Sequence, residues 1–291
     1  MWFYTSLLTS AVMAVSVIFN KRLIRNVSAL VLTWATLALS TPIILLFAIK
    51  DGLPQLNTLF FIGVVGSVIL YIFSSVTSLK AMRIADLSSI YPLVALGPIF
   101  TLFVAMAPPV AEKPNTLAIF GVFITLFGAY ILNAISTKKG IFEPIKSLFK
   151  NRASFLMMIA VLLNSIGIVF DKLAINNTIP KNTTFTLLLE NLMVIFGLLP
   201  VLYLRNKHFP HQIFSNAKLF LLLGLLNAAT TMLAFSSAGG GDIGLVATLF
   251  KTNILLVLLF SYLIFKDRPK REILIGSAIM IAGVVLIRLG S

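Results

Sequence analysis

Charged residues are scarce in this sequence, and their scarcity argues against a soluble globular fold. Only 11% of the 291 residues are Asp, Glu, Lys or Arg, whereas 59% are hydrophobic and the mean hydropathy is +1.03. Soluble domains carry about 25% charged residues. The composition therefore predicts a multi-pass integral membrane protein, surrounded by membrane lipids, and we expect it in a prokaryotic inner (plasma) membrane.

Cysteine is absent and histidine occurs only twice, at His208 and His211 in one link between apolar segments. These counts leave no disulfide framework and no nucleophile–base or metal cluster of the kind an intramembrane enzyme needs. A nucleotide-binding glycine loop is also missing from the sequence. We therefore expect no catalytic residue, no cofactor and no metal, and we predict that the protein is not an enzyme.

Negative charge is rarer than positive charge, and the net charge is +14. The Lys and Arg residues lie mainly in short links between apolar segments, which is typical of contact with anionic lipid rather than with nucleic acid. Alternate links carry 17 basic residues on one side of the membrane and 5 on the other. The positive-inside rule predicts that the richer side is cytoplasmic and that both termini face outward.

Long hydrophobic runs are abundant, and ten of them are candidates for membrane-spanning helices. They cover residues 2–19, 28–49, 58–80, 87–107, 115–135, 154–170, 183–204, 217–237, 243–265 and 272–288. The longest link, 136–153, mixes apolar residues at helical spacing with lysines. It predicts an amphipathic helix on the membrane surface, with a solvated basic loop as the alternative.

The two halves of the chain repeat each other. Residues 17–21 (Val-Ile-Phe-Asn-Lys) resemble residues 168–172 (Ile-Val-Phe-Asp-Lys), and Glu112-Lys113-Pro114 resembles Asp267-Arg268-Pro269. Two glycines seven residues apart follow each acidic-basic-Pro step: Gly121 and Gly128, then Gly276 and Gly283. Five spans per half is an odd number, so the second half must enter the membrane inverted.

The sequence thus predicts an all-α membrane protein with ten transmembrane helices in two inverted five-helix repeats around a central cavity. The first repeat covers residues 1–135, the linker 136–153 and the second repeat 154–291. This arrangement, with its acidic-basic-Pro steps and paired glycines, resembles the EamA-type branch of the drug/metabolite transporter superfamily. The resemblance implies a transporter cavity lined by the first, third, fourth, sixth, eighth and ninth helices. Proteins of this branch are usually drawn with both termini inside, opposite to the charge count, so the orientation stays open.

Lys251 is the one charge inside the ninth span, which is otherwise apolar from Ile243 to Phe265. A lysine at the centre of a span costs about 3 kcal/mol on insertion scales, so such a residue is rarely without a partner or ligand. Leu96-Gly97-Pro98 interrupts the fourth span at the same depth. Broken helices that cross near mid-membrane are where inverted-repeat transporters bind substrate, so we predict that Lys251 holds a carboxylate or phosphate.

Other polar residues recur at helical spacing in several spans and predict a shared, water-accessible cavity. The predicted substrate-binding residues are Lys251, Asn253, Tyr91, Ser74, Ser78, Asn227, Thr231, Asn20 and Asn164. For a single Ser or Thr, the alternative is a hydrogen bond to its own helix.

Glu190 is the other charge deep in a span, at a depth similar to that of Lys251. It is either a structural ion-pair partner, a proton-binding carboxylate or a site for a substrate amine. Asp171, at the end of the sixth span, is the second candidate for proton or ion coupling, with a capping charge as the alternative. We predict a secondary transporter, a monomer or homodimer, that exports a small polar solute such as an amino acid or related metabolite. A flippase or carrier for lipids or lipid-linked head groups is the alternative.

Overall fold

In a computed structural model of the chain, the described residues are 1–23, 27–84, 93–135, 151–206, 208–265 and 271–291. Their helices are α1 (Trp2–Leu23), α2 (Ala29–Asp51), α3 (Thr58–Ile84), α4 (Gly97–Met106), α5 (Thr116–Ile135), α6 (Arg152–Asn176), α7 (Thr183–Arg205), α8 (Phe209–Ser215), α9 (Ala217–Gly240), α10 (Ile243–Phe250), α11 (Asn253–Phe265) and α12 (Arg271–Leu289). The strands are β1 (Gln55–Leu56) and β2 (Thr178–Ile179). The predicted amphipathic helix lies outside this part of the chain, except for residues 151–153 at the start of α6.

Within the described residues, six helices are long and apolar enough to cross a membrane: α1, α2, α3, α6, α7 and α9. Shorter apolar helices accompany them at Gly97–Met106, Thr116–Leu132, Ile243–Leu259 and Leu274–Leu289. The chain is therefore a helical, multi-pass membrane protein.

Polar side chains fix the start of three of these helices. Ser28, Asn151 and Asn182 occupy N-cap positions, and each accepts a hydrogen bond from a backbone N–H of the first turn. Such caps satisfy donors that have no partner within the helix, and they stabilise a helix by about 1 kcal/mol. The sequence therefore marks where α2, α6 and α7 leave the membrane surface.

Helix ends gather at two faces of the bundle. We call the terminal face the one that carries Met1, residues 51–57, 107–115, 177–182, 241–242 and Ser291. The linker face is the opposite one, which carries residues 27–28, 206 and 208–216. Buried Leu23, Val27, Leu202 and Phe220 pack together on the linker face. Helices between these faces alternate in direction, as the short links require.

The terminal face holds a feature that the all-α prediction missed. Strands β1 and β2 pair antiparallel, with Gln55 opposite Ile179 and Leu56 opposite Thr178. The Asn57 side chain donates to Asn177 Oδ1 at 2.8 Å, and the Asn182 side chain donates to the Gly52 carbonyl at 3.0 Å. Two-residue strands carry too little periodicity for a sequence to predict them. Here they satisfy backbone groups where two loops meet.

The paired glycines bring α5 and α12 into close contact. A Cβ added at Gly121 would lie 2.7 Å from the Gly283 carbonyl oxygen, and one added at Gly128 would lie 2.7 Å from that of Gly276. A β-carbon does not fit at such distances. Small residues at these four positions therefore serve helix packing, which is the role their spacing indicates.

Candidate functional site

The site is organised around a break between α10 and α11. Helix α10 ends at Phe250, α11 begins at Asn253, and Lys251 and Thr252 form a turn between them. Backbone hydrogen bonds across this turn run three residues back rather than four, as from Lys251 N–H to the Thr248 carbonyl at 3.0 Å and from Leu255 N–H to the Thr252 carbonyl at 3.0 Å. A short stretch of this tighter hydrogen bonding inside a helix often marks a functional position.

Polar contacts hold the break in place. The Thr252 hydroxyl donates to the Leu249 carbonyl at 2.7 Å, and it lies 2.8 Å from the Ser10 hydroxyl of α1. The helix before α4 is interrupted as predicted, because residues 95–96 form a turn and Pro98 follows at the start of α4. The two interruptions face one cavity, since Gly97, Pro98 and Lys251 all line it.

This first cavity has a volume of about 370 Å³. Of the predicted binding residues, it contains Lys251, Ser74, Ser78 and Asn164. The Ser74 hydroxyl donates to the Ala160 carbonyl at 2.8 Å, so it also ties α3 to α6. The acidic residues among those described do not line this cavity, and within the described chain no ion pair or hydrogen bond reaches the Lys251 ammonium.

A second cavity of about 360 Å³ holds another part of the predicted set. Asn20, Asn227 and Asn253 line it, together with hydroxyl-bearing residues of α1, α2 and α9. Met13 lines both cavities and stands between the lysine and the asparagine groups. The single shared cavity of the prediction is therefore two adjoining spaces in this structure.

One predicted residue lies elsewhere, and another is not among the described residues. The Thr231 hydroxyl donates to the Asn227 carbonyl of its own helix at 2.8 Å and lines neither cavity, whereas its neighbour Thr230 lines the second one. One residue turns a helix by about 100°, so polar spacing alone did not choose between the two threonines. Tyr91 lies outside the described residues.

Glu190 does not pair with Lys251. Its side chain is buried and lies next to that of Asp171, whose Oδ1 accepts a hydrogen bond from the Ser67 hydroxyl. Glu190 Oε1 has no hydrogen-bond partner among the described residues, and two neighbouring carboxylates repel each other unless one of them carries a proton. The structure therefore brings the two coupling candidates together, away from the lining of both cavities.

The terminal face contains an ion pair between Lys172 and Glu112, neither of which is among the predicted site residues. The Lys172 ammonium lies 3.6 Å from Glu112 Oε1, donates to the Gly241 carbonyl at 2.7 Å and also donates to the Ala238 carbonyl. The other Glu112 oxygen accepts a hydrogen bond from the Ile243 N–H at 2.8 Å. These contacts join α6, the end of α9 and the loop before α5. The sequence repeat could have indicated this ion pair, because Glu112 and Lys172 both belong to segments that recur in the two halves.

Burial shapes the charges on this face. It raises the pKa of the Glu112 carboxyl, although the adjacent Lys172 ammonium opposes the rise. Burial also raises the pKa of Asp242, against the attraction of Lys172. It lowers the pKa of Lys181, and the positive charge of Lys172 adds to that effect. Loss of contact with water is therefore the largest cause of the pKa shifts of these three groups.

Most residues that line the two cavities lie nearer the linker face than the terminal face. All those from α1 and α2 belong to the half of the helix nearer the linker face, whereas Ser165 and Ile168 of α6 and Thr230 of α9 lie just past the middle of their helices. The terminal face, in contrast, is joined by the strand pair and by the contacts of Lys172. The structure thus has a joined terminal face and a polar interior displaced toward the linker face.

Comparison with known proteins supports a relationship over almost the full length. A family model described as the EamA-like transporter family matches residues 1–134 and 151–289. One solved crystal structure, whose description gives no activity, is 15% identical and superposes with a TM-score of 0.72, covering 99% of this chain and 96% of the other. At that identity the likeness shows the fold alone. No curated protein matches the sequence.

Proposed function

Because this chain belongs to the EamA-like transporter family, we propose that it is a secondary transporter for a small polar metabolite with a carboxylate or phosphate group. Amino acids and other small organic acids are the candidates, exported across a prokaryotic inner membrane. The observation that carries this proposal is the Lys251 ammonium, which lines a cavity at a helix break and has no counter-charge in the part of the chain that the structure describes.

The energetics favour an anionic ligand at this position. An ammonium within a membrane span costs about 3 kcal/mol on insertion scales, and a buried charge normally has a partner. Glu190, the partner that depth alone suggested, lies next to Asp171 instead. A substrate anion in the first cavity would provide the missing charge during transport.

Helix pairing supports the inverted repeat that alternating access needs. In a repeat that relates α1 to α6 and α3 to α9, the contact of α3 with α6 corresponds to that of α9 with α1, and both occur. The repeat also relates α2 to α7 and α5 to α12, so it maps the contact within each of these pairs onto itself. Both contacts occur as well. Rocking of the two halves would then expose the cavities at the terminal face.

We further propose that Asp171 and Glu190 form the proton site. Two carboxyl groups in contact exchange protons as a pair, and their charge changes with each proton lost. Asp171 is followed directly by Lys172, whose contacts join the terminal face. Loss of a proton from the pair would therefore place a negative charge next to the segment that must move.

The cavities lie toward the linker face, which the charge count assigns to the cytoplasm. A substrate would then enter from the cytoplasm and leave when the terminal face opens, which is the efflux direction. If the termini are inside, the same structure describes loading from outside. A reporter fused after Ser291 distinguishes the two directions.

The test of the function is a thermal-shift screen of purified protein against small carboxylates and phosphates, followed by transport in proteoliposomes. A compound that stabilises the wild type should lose the effect in Lys251→Ala, with affinity about 10- to 150-fold lower, because an interaction with a charged group is worth ~1.5–3 kcal/mol. Lys50→Ala, which removes an exposed lysine at the end of α2, is the matched control. If Lys251→Ala transports and binds every hit as the wild type does, the proposed anion site is wrong.

A further inference from the structure

We propose that the second cavity is a subsite for uncharged hydroxyl or amide groups, so that the substrate is an acid or phosphate with a polar, neutral remainder. This inference rests on the proposed function, because it assigns the rest of the molecule whose anion would bind Lys251. It favours a polyhydroxy acid over a zwitterionic amino acid.

Two buried polar atoms of residues that line this cavity have no hydrogen-bond partner among the described residues. They are the Thr230 hydroxyl oxygen and Asn20 Oδ1, from two different helices, α9 and α1. Thr230 is only 9% exposed, and both residues line the cavity. A buried polar atom without a partner costs about 1–3 kcal/mol, so these atoms indicate a group that is supplied from outside the protein.

Other hydroxyls in the cavity behave differently. Those of Ser16, Thr33 and Thr36 donate to carbonyls of their own helices at 3.0, 3.0 and 2.9 Å. The Asn227 side-chain amide donates to the Ser40 hydroxyl at 3.1 Å, which fixes the side chain between α9 and α2. Thr230 and Asn20 therefore differ from these four residues, whose side chains have partners within the protein.

The chemistry of the unpartnered atoms defines the ligand. Asn20 Oδ1 is an acceptor, and a threonine hydroxyl both donates and accepts. A ligand hydroxyl or amide can satisfy both atoms, because it also carries a donor and an acceptor. No Asp, Glu, Lys or Arg is found among the described residues that line this cavity. A second ligand charge would be removed from water here without compensation, so the neutral group is favoured.

The two cavities adjoin each other. Lys251 lines the first cavity, and Asn253, two residues further along the chain, lines the second. Met13 lines both spaces, and its flexible thioether side chain can adapt to a ligand that crosses between them. The candidate ligands are therefore small acids whose chain extends from one cavity into the other.

The test compares acids of equal chain length with and without hydroxyls, using calorimetric binding to the purified full chain. Gluconate and threonate are the polyhydroxy acids, hexanoate and butyrate their apolar counterparts, and 6-aminohexanoate carries a second charge. Thr230→Val removes the unpartnered hydroxyl while keeping its shape. Thr231→Val is the matched control, since that hydroxyl is bonded within its own helix and lines neither cavity.

A polyhydroxy acid should bind more tightly than its apolar counterpart and than 6-aminohexanoate. Thr230→Val should weaken its binding about 3- to 10-fold, as expected for one neutral hydrogen bond, and should leave hexanoate unchanged. The melting temperature of Thr230→Val should stay constant or rise, because a buried group without a partner is removed. Thr231→Val should bind all probes as the wild type does.

The outcomes separate the two proposals. If acids bind in a Lys251-dependent manner but hydroxyls and Thr230→Val make no difference, the neutral subsite is wrong and the anion site stands. Tighter binding of 6-aminohexanoate than of gluconate also overturns the subsite. If none of the acids binds, the anion site fails, and this inference fails with it.

Discussion

Replacing Lys172 with methionine is expected to loosen the terminal face. Methionine keeps most of the side-chain length but removes the ammonium that donates to the Ala238 and Gly241 carbonyls and lies 3.6 Å from Glu112. The variant leaves two carbonyl oxygens and one carboxylate without their cation in a largely buried place. Opening the face toward water is the direct way to relieve this cost.

The magnitude follows from the contacts that are lost. A hydrogen bond to a charged group is worth about 1.5–3 kcal/mol. Removing one member of a buried ion pair costs about 3–5 kcal/mol, because the other charge is left unpaired. Part of this cost is offset, because the variant has no ammonium group that must be removed from water on folding. We expect a net shift of about 1–3 kcal/mol toward the open face, or roughly 5- to 150-fold in its population.

The assay uses the absence of cysteine in the chain. Ser237 is fully buried below the terminal face, where its hydroxyl donates to Thr5 at 2.8 Å, and it lines neither cavity. A Ser237→Cys reporter gives one thiol whose reaction with a water-soluble reagent requires opening at that face. The Lys172→Met background should raise the labelling rate in proportion to the open population.

Two further variants make the result decisive. Adding Glu112→Gln to Lys172→Met removes the stranded charge and should restore part of the protection, so the two substitutions should not be additive. Lys50→Met is the control, since this exposed lysine lies at the end of α2 on the same face and an exposed charge should contribute at most about 1 kcal/mol. If Lys172→Met changes neither the labelling rate nor the melting temperature, the ion pair does not hold the terminal face together.

Three other predictions test separate parts of the structure. Glu190→Gln can still donate to Asp171 without a shared proton, so transport should lose its dependence on a proton gradient while substrate binding persists; unchanged proton coupling in proteoliposomes would exclude the pair as the proton site. Burial raises the pKa of Glu112, so this carboxyl binds a proton more readily in the folded protein than in the unfolded chain. The resulting stabilisation is present below the ordinary pKa of about 4.3 and is lost as the pH rises through the raised pKa. The melting temperature of the wild type relative to Glu112→Gln should therefore be higher near pH 4 than near pH 7, and the opposite slope would contradict that sign. Gly128→Ala should separate α5 from α12 and destabilise the protein by about 1–3 kcal/mol, because its Cβ meets backbone atoms; Gly167→Ala, whose Cβ would make an ordinary 3.6 Å contact, should be tolerated in the same thermal-unfolding experiment.

The broken helix shows how far local sequence information reaches. Lys251 inside an apolar run, and Pro98 at the matching depth of the other half, predicted interruptions that occur at both places. The glycines of α5 and α12 likewise predicted close packing, which the contacts of Gly121 and Gly128 bear out. Such features depend on hydrophobicity and backbone freedom within one segment, so they can be read without knowing its neighbours.

The pairing of charges required the tertiary structure. Equal depth suggested Glu190 as a partner of Lys251, but Glu190 meets Asp171 and Lys172 meets Glu112. Depth follows from counting residues along a helix, whereas contact also depends on which helices are neighbours and how each is rotated about its axis. Those two variables are set by packing among all the helices.

The sequence by itself determined that the protein lies in a membrane, because a chain with 59% hydrophobic and only 11% charged residues must be surrounded by lipid. It also determined the positions of the helix breaks and the glycine contacts. Only the tertiary structure decided that Thr230 rather than Thr231 faces a cavity, that the polar interior is divided at Met13, and that a strand pair joins the terminal face. The physical reason is that a rotation of about 100° per residue exchanges one side chain for its neighbour, and only the packed bundle fixes that angle.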